Sequence, residues 1–177
     1  ACGLGTLPAA AMAAALLGAG RTELVCGETG DAEEQLLEAV ELAGPRRARI
    51  VTALARALLA VIRARAGNED EAQSWIARAG ALVHGVVGAE LVTVEVRFLH
   101  GLLLRVLKRR TEADRMVLRA ERLLQQATAR LPESDRRNMF ENLSPYREIL
   151  AGAEAVRSSP EGQKIGLEDT VEVGDTV

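Results

Sequence analysis

The side chains that could do chemistry in this 177-residue chain are few, and their spacing fits no catalytic or metal-binding pattern. Neither His84 nor His100 has a cysteine, a histidine or an acidic residue at the spacing of a zinc site. Cys2 and Cys26 fit neither a disulfide framework nor a zinc motif. A phosphate-binding loop of the form G-x-x-x-x-G-K-S/T does not occur. The sequence therefore predicts no catalytic, metal-binding or cofactor-binding residues, and a protein that is not an enzyme.

Cys26 and two acidic runs have plainer structural explanations. Cys26 lies near a predicted helix end, where a thiol can become acidic, but the interpretation we favour is a small, buried apolar side chain. The carboxylates of residues 33–34 and 69–71 fall at the openings of predicted helices, where they complement the helix dipole. We therefore expect no catalytic role for either group.

Basic residues gather between positions 105 and 122. The cations of residues 105–110 end one predicted helix, where they interact favourably with the helix dipole. The next helix carries arginines on one face beside two glutamates, which indicates an outer, solvated face: Arg115, Arg119 and Arg122 beside Glu112 and Glu121. Aromatic residues for base stacking are not interleaved with them, and the net charge is −3. Nucleic acid is therefore an unlikely partner.

Composition indicates which elements must position these side chains. Hydrophobic residues make up 48% of the chain but aromatic residues only 2%, with alanine and leucine dominant. This mixture favours close helix packing over sheet cores. The apolar run over residues 7–19 is shorter than the ~20 residues that span a bilayer, so it predicts a buried helix and no membrane partner. We expect a cytoplasmic protein and, because the chain starts at Ala1, a fragment or processed form.

Apolar periodicity and turn signals predict six successive helices, followed by a shorter closing segment. Gly44-Pro45 is a predicted helix stop, and Thr111 and Ser144 are predicted N-caps. Residues 132–157 form the predicted closing segment, and residues 158–177 a flexible acidic tail or linker. The six helices are predicted over residues 8–26, 32–43, 46–66, 70–83, 89–109 and 111–130.

Helix pairs repeat at a spacing of 40 and then 41 residues. In each pair a small residue in the first helix is followed by an alanine, a larger aliphatic residue and a second alanine in the second helix. A small residue lets the second helix approach closely, and stacked pairs bury faces that one pair cannot bury alone. The three sets are Gly20, Ala32, Leu36, Ala39; Ala60, Ala72, Ile76, Ala79; and Gly101, Ala113, Val117, Ala120.

This small–large–small pattern resembles the tetratricopeptide repeat family. The resemblance implies an all-α, antiparallel helix-pair solenoid over residues 1–131, with pairs at about 8–45, 46–84 and 89–131. The copies are divergent, because their period exceeds the family's usual length of about 34 residues. Two family aromatics are also replaced, the earlier one by Arg56 and Arg97 and the later one by Arg63 and Leu104. Residues 131–150 are similar to closing stretches of such arrays in multidomain bacterial signalling and transcription regulators.

The resemblance implies a concave groove lined by the first helix of each pair, and hence a non-catalytic protein-interaction or sensor module. An apolar groove with arginines suits a helix or extended peptide, or an adjacent domain of the same polypeptide. The alternative is a structural or self-association element, in which its own chain or a second copy fills the groove. The expected groove residues are Leu17, Arg21, Leu24, Leu54, Ala57, Val61, Phe98, Leu102 and Arg105.

The single tryptophan, Trp75, stands outside the recurring positions, because Gln35 and Met116 occupy the same place in the other two copies. We predict that its ring covers a seam at the edge of the middle repeat, with the indole N–H directed to water or a carbonyl.

Overall fold

A computed structural model describes residues 8–160, apart from the side chains of residues 44–47. These residues form eight α-helices and no β-strand, which confirms the predicted all-α fold of paired helices. The chain divides into two compact units, residues 1–92 and 93–177, and the division falls within α5. The helices are α1 (Ala9–Cys26), α2 (Thr29–Arg47), α3 (Arg49–Arg65), α4 (Glu69–Val83), α5 (Glu90–Val106), α6 (Arg110–Thr128), α7 (Glu133–Asn142) and α8 (Ser144–Arg157).

The first unit contains two antiparallel helix pairs that stack on each other. Short turns join α1 to α2 and α3 to α4, and α2 packs against α3 between the pairs. In the second unit a short turn joins α5 to α6, and α7 and α8 form the closing segment. Helix α8 packs on α6, where Gly152 brings its backbone close to Val117 and Phe98.

The recurring small residues lie in the tightest helix contacts, as the repeat predicts. All twelve positions of the three sets are buried. A Cβ atom added to Gly20 would lie 2.9 Å from Cγ of Leu36, and one added to Gly101 would lie 3.1 Å from Cγ2 of Val117. The first helix of each pair can approach the second this closely because these two positions carry no side chain.

The same turn closes the first helix of all three pairs. Its left-handed residue is Gly27 (φ 90°), Gly67 (φ 84°) or Lys108 (φ 61°), at the repeat spacing of 40 and 41 residues. Two backbone hydrogen bonds back to the preceding helix accompany it each time, as from Lys108 N to Arg105 O at 3.0 Å. This is the Schellman motif, which normally takes glycine. Lys108 is therefore a non-glycine residue in a glycine position.

Several predicted helix ends differ from the observed ones. Helix α2 continues through Gly44-Pro45 to Arg47, and the chain leaves the helical region at Ala48 (φ −139°, ψ 60°). A proline this close to the helix end removes only one hydrogen bond of the last turn. Helix α6 begins at Arg110 rather than after Thr111, because the turn at Lys108 makes Arg109 the N-cap.

Helix α8 also begins earlier than predicted. Ser144 is its first residue and not its N-cap, since its hydroxyl donates to the carboxylate of Glu148 in the next turn. The predicted flexible tail falls mainly on residues 161–177, which lie outside the described residues.

Helix α1 agrees with its predicted bounds to within one residue, but it is much less buried than expected. Its 18 residues make it, among the described residues, the one helix long and apolar enough to cross a membrane, and 17% of that stretch is buried. A core helix or a signal sequence passes the same test. The shortness of the apolar run at residues 7–19 does not by itself exclude a membrane span, because the apolar helix continues to Cys26. Cys26 itself is exposed and not buried as expected, because it ends the helix at the turn.

Candidate binding surfaces

The predicted groove residues differ in how accessible they are. In the first unit, Arg21 and Leu24 of α1 are half-buried, and Leu17 is buried. The groove positions of α3 are all buried: Leu54, Ala57 and Val61. In the second unit, Phe98 is buried, Leu102 is half-buried and Arg105 is exposed. A partner can therefore reach Arg21 and Leu24 in one unit, and Leu102 and Arg105 in the other.

Arg105 stands at the edge of a cleft in the second unit. Its guanidinium Nη2 lies 3.3 Å from Oδ1 of Asp114, whose side chain is only 6% exposed. The cleft has a volume of about 530 Å³ and lies between the α5–α6 turn and the end of α8. Its lining combines three cations, one carboxylate and a small apolar wall: Arg105, Lys108, Arg110, Asp114, Ala155, Val156 and Ser159. A cleft of this size and lining is suited to a small anionic group.

An ion-pair chain crosses three helices of the first unit. Arg63 of α3 pairs with Glu33 of α2, and its Nε lies 3.3 Å from Oε1 of Glu71 in α4. Trp75 Nε1 donates to the same carboxylate at 3.2 Å. Arg63 thus links the two stacked pairs electrostatically.

Trp75 is half-buried at the edge of α4, as predicted, but a carboxylate and not a carbonyl or water accepts its N–H. Two guanidinium groups approach its ring, Arg56 at 5.9 Å and Arg78 at 5.8 Å from the centroid. This separation is within the range of cation–π attraction. The indole therefore stabilises two nearby cations, which leaves its ring engaged by the chain itself.

Two arginines whose charges repel each other recur at the repeat spacing. They are Arg56 and Arg78 in the first unit and Arg97 and Arg119 in the second, each residue 41 positions from its counterpart. Burial and then the charge of the second arginine lower the pKa of Arg56 and of Arg97. The Nε atoms of Arg56 and Arg97 are buried without a hydrogen-bond acceptor among the described residues. Each unit therefore holds a half-buried arginine whose charge is destabilised by a second arginine.

His100 is half-buried in α5 beside charged residues of its own unit. Burial is the main cause of its lowered pKa, and the charges of Arg109 and Arg97 lower it further. The other histidine, His84, is exposed at the end of α4. Within residues 8–160 no three His, Cys, Asp or Glu side chains are close enough to hold a metal ion.

Two buried carboxylates were not predicted from the sequence. Asp114 lies in the cleft, and Glu121, expected on a solvated face, is 6% exposed because the C-terminal part of α8 covers it. Arg157 of α8 pairs with Glu121, and this hydrogen bond is the main cause of the raised pKa of Arg157. The sequence separation of 36 residues gave no local signal for the pair.

Comparison of the chain with protein-family models, with curated proteins and with solved structures finds no match.

Proposed function

We propose that this chain is a non-catalytic protein-interaction or sensor module of a multidomain bacterial regulator, and that it binds a peptide or helix along the first helices of its pairs. Such a role would place it in signal transduction or transcription regulation, in the cytoplasm. The single observation that supports the proposal best is that the small-residue repeat builds stacked helix pairs. Stacked pairs of this kind present extended surfaces that suit peptide recognition.

The accessible groove residues have the chemistry that such binding needs. Leu24 and Leu102 are half-buried apolar side chains. Each lies on the same helix as an arginine whose guanidinium can donate hydrogen bonds to a carboxylate: Arg21 for Leu24 and Arg105 for Leu102. A bound helix could bury the leucines and direct an acidic residue to the arginine. The buried residues of α3 would support this surface from beneath rather than touch the ligand.

The alternative is a structural or self-association element, and the exposure of α1 favours it as a second candidate. Most side chains of α1 outside its contact with α2 are exposed and apolar, as in Met12, which is 40% exposed. A second copy of the chain could cover this face. Under this alternative the chain would dimerise, and it would select no peptide.

A peptide-display selection on the full chain tests the proposal. We expect enrichment of amphipathic peptides with an acidic residue, and loss of that enrichment in Leu24→Glu or Leu102→Glu. Val25→Glu is the matched control for the first unit, because Val25 adjoins Leu24 but is 89% exposed. Leu131→Glu serves the second unit, since Leu131 is 40% exposed in the connection between α6 and α7.

Light scattering on the same samples separates the two candidates. A monomer that selects peptides through Leu24 or Leu102 supports the interaction module. A dimer that Met12→Glu dissociates, together with no peptide enrichment, would favour self-association instead.

A further inference from the structure

We infer that the cleft of the second unit is a binding site for the phosphate group of a small phosphorylated ligand. The site is distinct from the proposed peptide groove, with which it shares only Arg105. The inference therefore rests on the proposed function only in the role of Arg105. Lys108 and Arg110 belong to the cleft alone.

The size of the cleft sets the class of ligand. Its volume of about 530 Å³ falls within the range of small-molecule sites, roughly 300–1,000 Å³. The α5–α6 turn supplies its charged side and Ala155 and Val156 of α8 supply an apolar wall. A compact ligand with one anionic end and a short carbon skeleton matches both sides.

The charge of the cleft sets the anion. Three of its lining side chains are cations, Arg105, Lys108 and Arg110, and one is a carboxylate, Asp114. A phosphomonoester carries about −1.5 to −2 at neutral pH and presents three strong acceptor oxygens to such donors, whereas a single carboxylate carries −1 and presents two. Asp114 holds Arg105 at 3.3 Å, so the orientation of this guanidinium is fixed before a ligand arrives.

The backbone at Lys108 gives an independent reason to treat the cleft as a site. The two equivalent turns place Gly27 and Gly67 at the left-handed position, where glycine has no steric cost. Lys108 adopts the same conformation with a full side chain, at φ 61°. A cation that only interacts with the helix dipole could equally be carried by a neighbouring position of the turn, so the dipole does not explain a lysine at residue 108. Strain accepted at a cleft wall points to a role for the lysine ammonium group.

Titration of the full chain with inorganic phosphate and with glycerol phosphate tests the site. Chemical shifts of the backbone amides of residues 105–114 are followed at constant ionic strength, with sodium chloride as the reference. Sodium acetate, which carries one carboxylate, gives the carboxylate arm of the experiment. We expect saturable shifts with both phosphates, tighter binding of glycerol phosphate than of phosphate, and no saturation with acetate.

Three variants assign the effect to the cleft. Lys108→Gly and Arg110→Gln should each weaken phosphate binding about tenfold, as expected for loss of a charge-assisted hydrogen bond. Arg147→Gln is the matched control, because Arg147 is an exposed arginine of α8 that does not line the cleft. Lys108→Gly should also raise the melting temperature by about 2 °C or more, because it relieves the left-handed strain.

The inference requires that Lys108→Gly binds phosphate more weakly and melts at a higher temperature. Damage to the fold would instead lower both the phosphate affinity and the melting temperature. Unchanged binding in Lys108→Gly, an equal loss in Arg147→Gln, or acetate binding as tight as phosphate would each overturn the inference. The groove proposal is judged separately, because Leu24→Glu alters peptide selection and leaves the phosphate shifts unchanged.

Discussion

Replacing Gly20 by alanine tests whether the small residue of the repeat is what allows the helices to approach. The added Cβ would lie 2.9 Å from Cγ of Leu36, 3.1 Å from its Cδ2 and 3.2 Å from the carbonyl oxygen of Ala32. The first distance is shorter than Cβ contacts in real proteins, and Cγ is the branch point of a side chain that is 0% exposed. Leu36 cannot rotate away without disturbing the core around it.

Gly18 provides the matched control within the same helix. A Cβ at Gly18 would meet nothing within 4 Å, and the position is exposed. Both substitutions raise helix propensity by about 1 kcal/mol. Gly20→Ala also overpacks the contact with α2, at a typical cost of about 1–3 kcal/mol. Gly18→Ala should therefore stabilise the chain by about 1 kcal/mol, and Gly20→Ala should be less stable than Gly18→Ala by about 1–3 kcal/mol.

Urea unfolding followed by far-ultraviolet circular dichroism measures this difference. In thermal unfolding the gap corresponds to roughly 2–10 °C between the two variants. Amide exchange within α1 gives a local reading if this terminal helix opens before the rest. Equal stabilisation by Gly18→Ala and Gly20→Ala would refute the reasoning, since Leu36 would then tolerate a Cβ at the contact.

Three further predictions concern charged side chains. Arg97→Met should raise the free energy of unfolding by about 1 kcal/mol in urea, because it removes the repulsion by Arg119 and the buried Nε atom without an acceptor; a loss of stability would contradict this. Because the folded-state pKa of His100 is lowered from 6.5, the unfolded chain takes up a proton first as the pH falls below 6.5. Stability should therefore decline there in the wild type and less in His100→Gln, and parallel melting-temperature profiles would exclude this linkage. Arg157→Ala should lower the free energy of unfolding by about 1 kcal/mol, because it leaves the buried carboxylate of Glu121 unpaired. The loss is smaller than for a fully buried pair, because Arg157 is 46% exposed. The control Arg147→Ala should change the free energy of unfolding by less than about 0.5 kcal/mol.

The helix pairs were predictable because their packing depends on residue size at fixed intervals. Close contact requires glycine or alanine, so small residues recur at a fixed spacing even where the other positions differ, as in Gly20, Ala60 and Gly101. Helix ends were less predictable, since they depend on single turns. Lys108 illustrates the difficulty, because nothing in its residue type marks it as left-handed.

The cleft could be predicted only in part. Its cations form a basic run in the sequence, and Arg105 is one of the predicted groove residues. Its apolar wall comes from α8, about 45 residues further along the chain, and no periodic pattern connects that wall to the α5–α6 turn. The burial of Asp114 depends on packing of the same kind, which no local charge pattern predicts.

The recurring arginine pairs also affect how rigid a helix pair can be. An aromatic side chain at Arg56 or Arg97 would join the two helices by apolar contact at their edge, whereas the two arginine charges present there repel each other. The firmest contact in each pair is then at the small-residue positions in the middle, such as Gly101 against Val117. We therefore expect the two helices of each pair to pivot about this central contact. The stiffness of this motion should depend on the charges at the edge and on the salt concentration that screens them.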